Sequence, residues 1–206
     1  MKIKAVVFDF GQVLAHPQDE NVRDRMASIA GLDREVFAVR YREFRKDYDR
    51  GRISGIDYWT KVIGKNGSRI EKTIIEELIR EDMRSWFSLN RDVIDWVDRL
   101  KQAGIKTGIL SNMPPELGKT VYSEMEKLIA MFDEIVFSFE IGFVKPENEI
   151  YEICLRKLES LPEETLFIDD DARNIEGARA SGMNTYLFIP GKTRIDEIAD
   201  VYNLPN

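Results

Sequence analysis

Five short apolar runs constrain this chain more than anything else in it. They are IKAVVF (3–8), IKTGIL (105–110), EIVFS (134–138), TLFID (165–169) and NTYLFI (184–189). Their apolar residues run nearly unbroken instead of alternating with polar ones, the pattern of parallel strands covered on both faces. Helical stretches lie between them. Asn90 stands ready to cap a helix whose apolar positions are Val93, Ile94, Trp96, Val97 and Leu100, and Gly104 ends it. Pro146 opens another through Ile150, Tyr151, Cys154 and Leu155. Strand and helix in alternation predict an α/β fold, a doubly wound parallel sheet of the Rossmann-like kind.

One segment breaks the alternation. From about residue 19 to 88 no strand pattern occurs, only amphipathic stretches such as VRDRMASIAGL and TIIEELIREDM, broken at Gly51, Gly55, Gly64 and Gly67. That is too much chain for a simple crossover between neighbouring parallel strands. The expectation is a core built from 1–15 and 90–206, with 16–89 inserted as a helical cap; an elaborate crossover is the alternative.

Composition removes several classes of function. Net charge is −7 and the pI about 5.0, which gives no electrostatic footprint for nucleic acid. No apolar run reaches membrane-span length and the start lacks a secretory cleavage pattern, so no membrane partner and a cytoplasmic location are expected. Cys154 is the single cysteine, so no intramolecular disulfide can form. Asn66-Gly67-Ser68 has the spacing of a glycosylation acceptor, a reading that an export signal would have to support.

In open parallel sheets, ligands bind beyond the carboxyl ends of the strands. Asp9-Phe10-Gly11-Gln12-Val13 follows the first run, and Ser111 and Asn112 follow the second. Lys145 lies in the loop FEIGFVKP beyond the third, and Asp169, Asp170 and Asp171 follow the fourth. Each has a bland reading: a turn, a helix cap, a solvated loop lysine. Three adjacent carboxylates at a buried strand end are costly, since a close like-charged pair repels by up to roughly 4 kcal/mol at an effective dielectric near 20. Together with a lysine and a serine they suit a hard divalent cation, Mg2+, holding a phosphate that Ser111 and Lys145 also grip. Asp171 reads best as the cap of the helix beginning ARNIEGARASG.

This constellation resembles the haloacid dehalogenase superfamily along the whole chain. DFGQV (9–13) is similar to its first motif, ordinarily Asp-x-Asp-x-Thr/Val. LSN (110–112) resembles the second motif, Lys145 in VKP the third, and IDDDARN (168–174) the fourth. The resemblance implies Asp9 as the nucleophile of an aspartyl-phosphate intermediate. It implies Ser111 and Lys145 as phosphoryl-binding residues helped by Asn112, with Lys145 also holding the Asp9 carboxylate. Mg2+ would be held by Asp9, the Gly11 carbonyl, Asp170 directly, and Asp169 directly or through water. The implied function is a Mg2+-dependent phosphatase acting on a small phosphorylated metabolite, sugar phosphates among the candidates.

Gly11 departs from the family pattern, whose second motif-one aspartate protonates the leaving oxygen and later activates water. Such a group contributes about 10²–10⁴-fold. A glycine also admits a positive φ. Two alternatives follow: a 2-haloacid dehalogenase-type hydrolase, which lacks that acid too, or a phosphometabolite-binding protein with impaired turnover. The acidic pair Asp169-Asp170 favours the phosphatase, because dehalogenation needs no Mg2+. His16, Tyr48 and Asp49 are the candidates for a replacement proton donor, and the Arg- and Tyr-rich stretch 41–54 for substrate recognition. Asp9-Phe10-Gly11 as a kinase triplet and Gly191-Lys192-Thr193 as a phosphate loop both lack the required surroundings.

Overall fold

The computed structural model describes residues 2–64 and 70–206. The Asn66-Gly67-Ser68 sequon and the helix break at Gly67 lie outside the described residues. Five strands form one sheet: β1 (Ala5–Phe8), β2 (Lys106–Ser111), β3 (Glu134–Phe137), β4 (Thr165–Asp169) and β5 (Asn184–Leu187). Every pairing is parallel and the order is β3-β2-β1-β4-β5, so β1 lies at the centre between β2 and β4. The chain steps outwards from β1 one way and then returns to cross it, which makes the carboxyl ends of β1, β2 and β4 a switch point.

Among the described residues the helices before β2 are α1 (Glu20–Ala30), α2 (Arg34–Glu43), α3 (Arg45–Asp49), α4 (Gly55–Ile63), α5 (Lys72–Arg84) and α6 (Arg91–Gln102). The later ones are α7 (Pro115–Glu124), α8 (Glu126–Ile129), α9 (Ser138–Ile141), α10 (Asn148–Leu158), α11 (Ala172–Ala180) and α12 (Ile195–Tyr202). Period-two alternation in β1 feeds two cores. Val6 and Phe8 point to one face, where Trp96, Val97 and Leu100 of α6 pack; Val7 points to the other, against Ile150, Tyr151 and Cys154 of α10 and Ile175 of α11. None of β1 is exposed, which is why its sequence is apolar on both faces.

Local expectations are corrected in three places. Asn90 does precede α6, but its side chain makes no capping hydrogen bond. Helix α10 starts at Asn148, two residues after Pro146. The run NTYLFI is an edge strand instead of a doubly covered one: β5 ends at Leu187, and Leu187 and Ile189 are exposed because only β4 flanks it. Asp171 caps α11 as expected, accepting from Arg173 N at 2.9 Å. Among the described residues no helix is long and apolar enough to cross a membrane.

The excursion between β1 and α6 leaves and returns through one narrow neck. His16 N donates to Ser88 O at 2.7 Å, Asn90 N donates to Leu14 O at 2.9 Å, and Ala15 and Leu89 form an isolated antiparallel bridge. Beyond the neck, α1, α2, α4 and α5 bury an apolar cluster of their own, including Met26, Phe37, Tyr58, Trp59, Val62 and Leu78. Ser54 and Asp57 form a capping box at the start of α4, and Gly64 ends that helix at φ 64°. A buried serine ties the excursion to the sheet: Ser138 Oγ donates to Asp49 O and accepts from Met113 N at 2.9 Å.

Trp59 is the largest side chain in the excursion's cluster and is fully buried between Phe37 and Tyr58. Trp59→Ala is expected to cost about 3–5 kcal/mol in denaturant unfolding. Hydrogen exchange should show the loss concentrated in α1–α5 while amides of β1 and β4 keep their protection; equal loss of protection in both would mean the two clusters unfold as one.

Candidate active site

The site begins where β1 stops. Asp9 leaves the strand with its N–H still bonded to Ile168 O at 2.9 Å, and its Oδ1 accepts from Phe10 N at 2.7 Å. The next residues, Phe10–Leu14, form a tight turn closed by Ala15 N to Phe10 O at 2.8 Å. The left-handed residue of this turn is Gln12, at φ 62°, whereas Gly11 sits at φ −67°. A non-glycine residue there costs on the order of 1–3 kcal/mol. The Gln12 amide answers with a hydrogen bond from Nε2 to Asp170 Oδ2.

The second, third and fourth segments bring their side chains to the same rim. Ser111 is buried at the last residue of β2. Asn112 does not reach outward; its amide pairs with the main chain of Lys145, Lys145 N donating to Oδ1 at 2.8 Å and Nδ2 donating to Lys145 O at 3.1 Å. That clamp aims Lys145 inward. Its Nζ lies 2.9 Å from Asp9 Oδ1 and 2.6 Å from Asp169 Oδ2, above the ring of Phe167. Asp169 is fully buried and also accepts from Asp171 N at 2.8 Å and from Asn174 Nδ2 at 3.1 Å on both oxygens.

These bonds decide which carboxylates carry uncompensated charge. One ammonium serves two carboxylates, and the nearer, Asp169, is saturated with donors. Asp9 is pushed up to about 7: burial raises it most, Lys145 offsets part, and Asp169 and Asp170 add to the rise. Asp170 is pushed up to about 6, by burial and then by Asp169. Burial opposes the charge on Lys145, but Asp169 and Asp9 outweigh it and hold the ammonium well above its ordinary range. With all groups ionised, three carboxylates and one ammonium leave two negative charges in place.

Ligand atoms of Asp9, Asp169 and Asp170 lie within 4.8 Å of one another. Carboxylate oxygens at that spacing, two negative charges in excess and two raised carboxyl groups fit a hard divalent cation of the Mg2+ type. Asp170 and Asp9 have the greater call on it, since the oxygens of Asp169 are engaged by Lys145, Asp171 and Asn174.

A cavity of about 130 Å³ opens over Asp9, with Gly11, Gln12, Ser111, Asn112 and Asp170 in its wall. A larger concavity, about 1070 Å³, lies at the amino ends of the strands beside Lys4, Ile105 and Glu164; the acid cluster is at the other end. Six contributors to the site were not foreseen from sequence. Arg45 and Trp86 enter the cavity wall from the helical excursion, Phe10 and Leu117 with other apolar side chains complete it, Gln12 braces Asp170, and Asn174 orients Asp169. Arg45 lay within the Arg- and Tyr-rich stretch, and Asn174 within IDDDARN. Nothing in the sequence around Trp86 set it apart.

The three residues suggested as substitute proton donors stand elsewhere. His16 is exposed and bonds through its backbone. Tyr48 is buried in a stack on Tyr58, ring centroids 4.4 Å apart. Asp49 is pushed up to about 6 by burial, partly offset by Arg45, whose Nε it meets at 2.8 Å. Arg45 Nη1 in turn lies 3.0 Å from Asp82 Oδ2 and donates to Tyr41 Oη at 2.7 Å.

Known proteins share the family and the fold. A family model described as haloacid dehalogenase-like hydrolase matches residues 3–182. A sesquiterpene phosphatase of Aspergillus oryzae is 30% identical over 87% of this chain and 87% of its own. Rat bifunctional epoxide hydrolase 2 is 25% identical over 98% of this chain, which spans 39% of that protein's length. The crystal structure of a family enzyme from Bacteroides thetaiotaomicron, in complex with magnesium and inorganic phosphate, superimposes with a TM-score of 0.76 at 21% identity, covering 95% of this chain and 98% of that one.

The raised carboxyls give a signed expectation for stability. Asp9 keeps a proton in the folded chain up to about pH 7 that the unfolded chain releases near 4, so the folded state binds more protons in that window. Without metal, Asp9 and Asp170 should therefore lower stability as pH rises from about 4 to 7. A bound cation removes the penalty, so Mg2+ should raise the melting temperature more at pH 8 than at pH 5. An equal Mg2+ shift at both pH values, by thermal melts in matched ionic strength, would show that these carboxylates do not hold the ion.

Proposed function

The chain belongs to the family of haloacid dehalogenase-like hydrolases, and from that premise we propose that it is a Mg2+-dependent phosphatase of small phosphorylated metabolites. The observation that carries the reading is Asp9 at the base of the cavity, 2.9 Å from a Lys145 that is itself anchored on Asp169. Phosphatases among the relatives, in Aspergillus oryzae and as a D-ribitol-5-phosphate phosphatase of Bacteroides thetaiotaomicron, support the same class of substrate.

Phe10 N and Lys145 Nζ both engage Asp9 Oδ1, which turns the second carboxylate oxygen to the incoming phosphorus. That oxygen attacks, the ester oxygen departs with its bonding pair, and an aspartyl-phosphate forms on Asp9. Water then attacks phosphorus, releasing phosphate and the free carboxylate. Ser111 and Lys145 grip the phosphoryl oxygens; Asn112 serves by holding the Lys145 main chain. Asp9 and Asp170, with the Gly11 carbonyl and Asp169 in support, would hold Mg2+, which would supply charge neutralisation for the phosphoryl group.

Residues 16–89 act as a cap over this rim, and 1–15 with 90–206 as the core. The paired bonds at the neck support that division, and Arg45 and Trp86 in the cavity wall support its closing role. A cap excludes water and selects by the part of the substrate remote from the reacting bond. The dehalogenase alternative is weaker, because its chemistry leaves the acid cluster without a task.

Asp9→Asn should lower hydrolysis of an aryl phosphate by at least roughly 10⁴-fold while leaving circular dichroism and melting cooperative. Near-normal turnover by that variant would remove Asp9 as nucleophile. Chelation should stop the reaction and Mg2+ restore it, and Asp170→Ala should raise the Mg2+ requirement far more than Asp171→Ala. Full activity in chelator, with halide released from a 2-haloacid, would move the assignment to dehalogenation.

A further inference from the structure

The wall of the cavity over Asp9 mixes two kinds of group. Asp9, Asp170, Ser111 and Arg45 are polar or charged; Trp86, Met113 and Leu117 are apolar. Trp86 follows α5 in the turn that brings the excursion back to the core, its N–H donating to Met83 O at 3.2 Å. Its six-membered ring stands over Gly11: a Cβ added to that glycine would lie 3.2 Å from Cζ3, 3.6 Å from Cη2 and 3.8 Å from Cε3. A side chain at residue 11 would therefore crowd the ring, which would have to give by a few tenths of an ångström.

The Trp86 ring and the Gly11 backbone thus meet in the wall of the same cavity. Among the described residues, the carboxyl groups in the cavity wall are Asp9 and Asp170, both members of the acid cluster. The other ionisable group there, Arg45, is ion-paired with Asp49 and Asp82, and a guanidinium does not give up a proton in a protein. Beside the Ser111 hydroxyl, the wall therefore holds no further acid for the departing oxygen. Where solvent gives it no proton, that oxygen leaves as an oxide, carrying the electron pair of the broken P–O bond, while the new bond forms between Asp9 and phosphorus.

We propose that Trp86 is a specificity-determining residue that binds the leaving group, and that the substrates are phosphate monoesters of ring-bearing alcohols with an acidic hydroxyl, of the phenol or enol type. Such a group contributes what the cavity lacks and uses what it offers. Its oxide is stable without a proton donor, and its ring meets the indole in an edge or offset contact. The proposal rests on the phosphatase reading and narrows its substrate class.

The test compares binding of phenylphosphonate and methylphosphonate in Mg2+, neither of which can be hydrolysed, with inorganic phosphate as reference. Wild-type protein should bind phenylphosphonate about tenfold more tightly than methylphosphonate, from one aromatic contact and its buried area. Trp86→Ala should bring the two within about twofold with phosphate affinity unchanged, and Trp86→Phe should keep most of the difference. Trp59 and Trp96 are fully buried, so quenching of indole emission by phenylphosphonate should vanish with Trp86. In parallel, single-turnover rates across substituted phenyl phosphates and an alkyl phosphate should fall steeply as leaving-group pKa rises. A preference that survives Trp86→Ala, or a rate indifferent to leaving-group pKa, overturns the proposal. Wild-type protein that binds none of the three anions in Mg2+ overturns the phosphatase reading itself, and this proposal with it.

Discussion

Everything at the rim depends on one buried ammonium held between two carboxylates. Lys145 is almost wholly enclosed, and an unpaired charge there would be intolerable. Its pairing draws on three separate parts of the chain: Asp9 from the end of β1, Asp169 from the end of β4, and the Asn112 amide that fixes its backbone. Because β1 and β4 are adjacent and in register, Phe8 opposite Ile168, the two aspartates that follow must emerge side by side. The sheet thus dictates the repulsion, and the loop after α9 supplies the charge that relieves part of it. What it leaves unrelieved, on Asp9 and Asp170, is negative charge of the kind a divalent cation would neutralise.

The same arrangement separates anchoring from chemistry. Asp169 spends its oxygens on Lys145, Asn174 and the Asp171 N–H, so it fixes geometry. Asp171 faces Arg173 and the start of α11, where it is held below the usual carboxylate range, first by the Arg173 side-chain bond. Only Asp170 of the three is left half-buried with a raised pKa. Three consecutive aspartates, identical in sequence, are thereby given three tasks by burial and hydrogen bonding.

What could be read from the sequence was set by contacts close in sequence or by the strands. Apolar runs located all five strands to within a residue or two, because burial on both faces leaves no choice of residue in β1, β2 and β4. The order of strand ends then pointed to Asp9, Ser111, Lys145 and the aspartates. Residues acting from the excursion stayed hidden, since its helices reach the rim through turns whose direction no periodicity records. Trp86 enters the cavity for that reason without a local signal, Arg45 was marked only as one of many Arg and Tyr in 41–54, and Tyr48 and Asp49 turn out to face inward to their own helices. The role of Asn112 was also invisible: an amide can grip a ligand or a backbone, and here its partner lies 33 residues away.

The turn after β1 shows how local strain and remote chemistry are coupled. With Gly11 at an ordinary φ, the left-handed position falls on Gln12, a residue that gains nothing from it locally. Its reward is the bond to Asp170, which a residue in extended conformation at that point would not be aimed to make. Gly11 meanwhile is favoured by space, not by φ, because a Cβ there would lie 3.2 Å from the Trp86 ring. An acid at position 11 and a tryptophan at 86 compete for one volume. The bare backbone at position 11 and the aromatic ring above it therefore meet at one contact, made between the first loop of the core and the last turn of the excursion. On the proposed reading, that contact leaves protonation of the leaving oxygen to solvent and to the substrate's own chemistry.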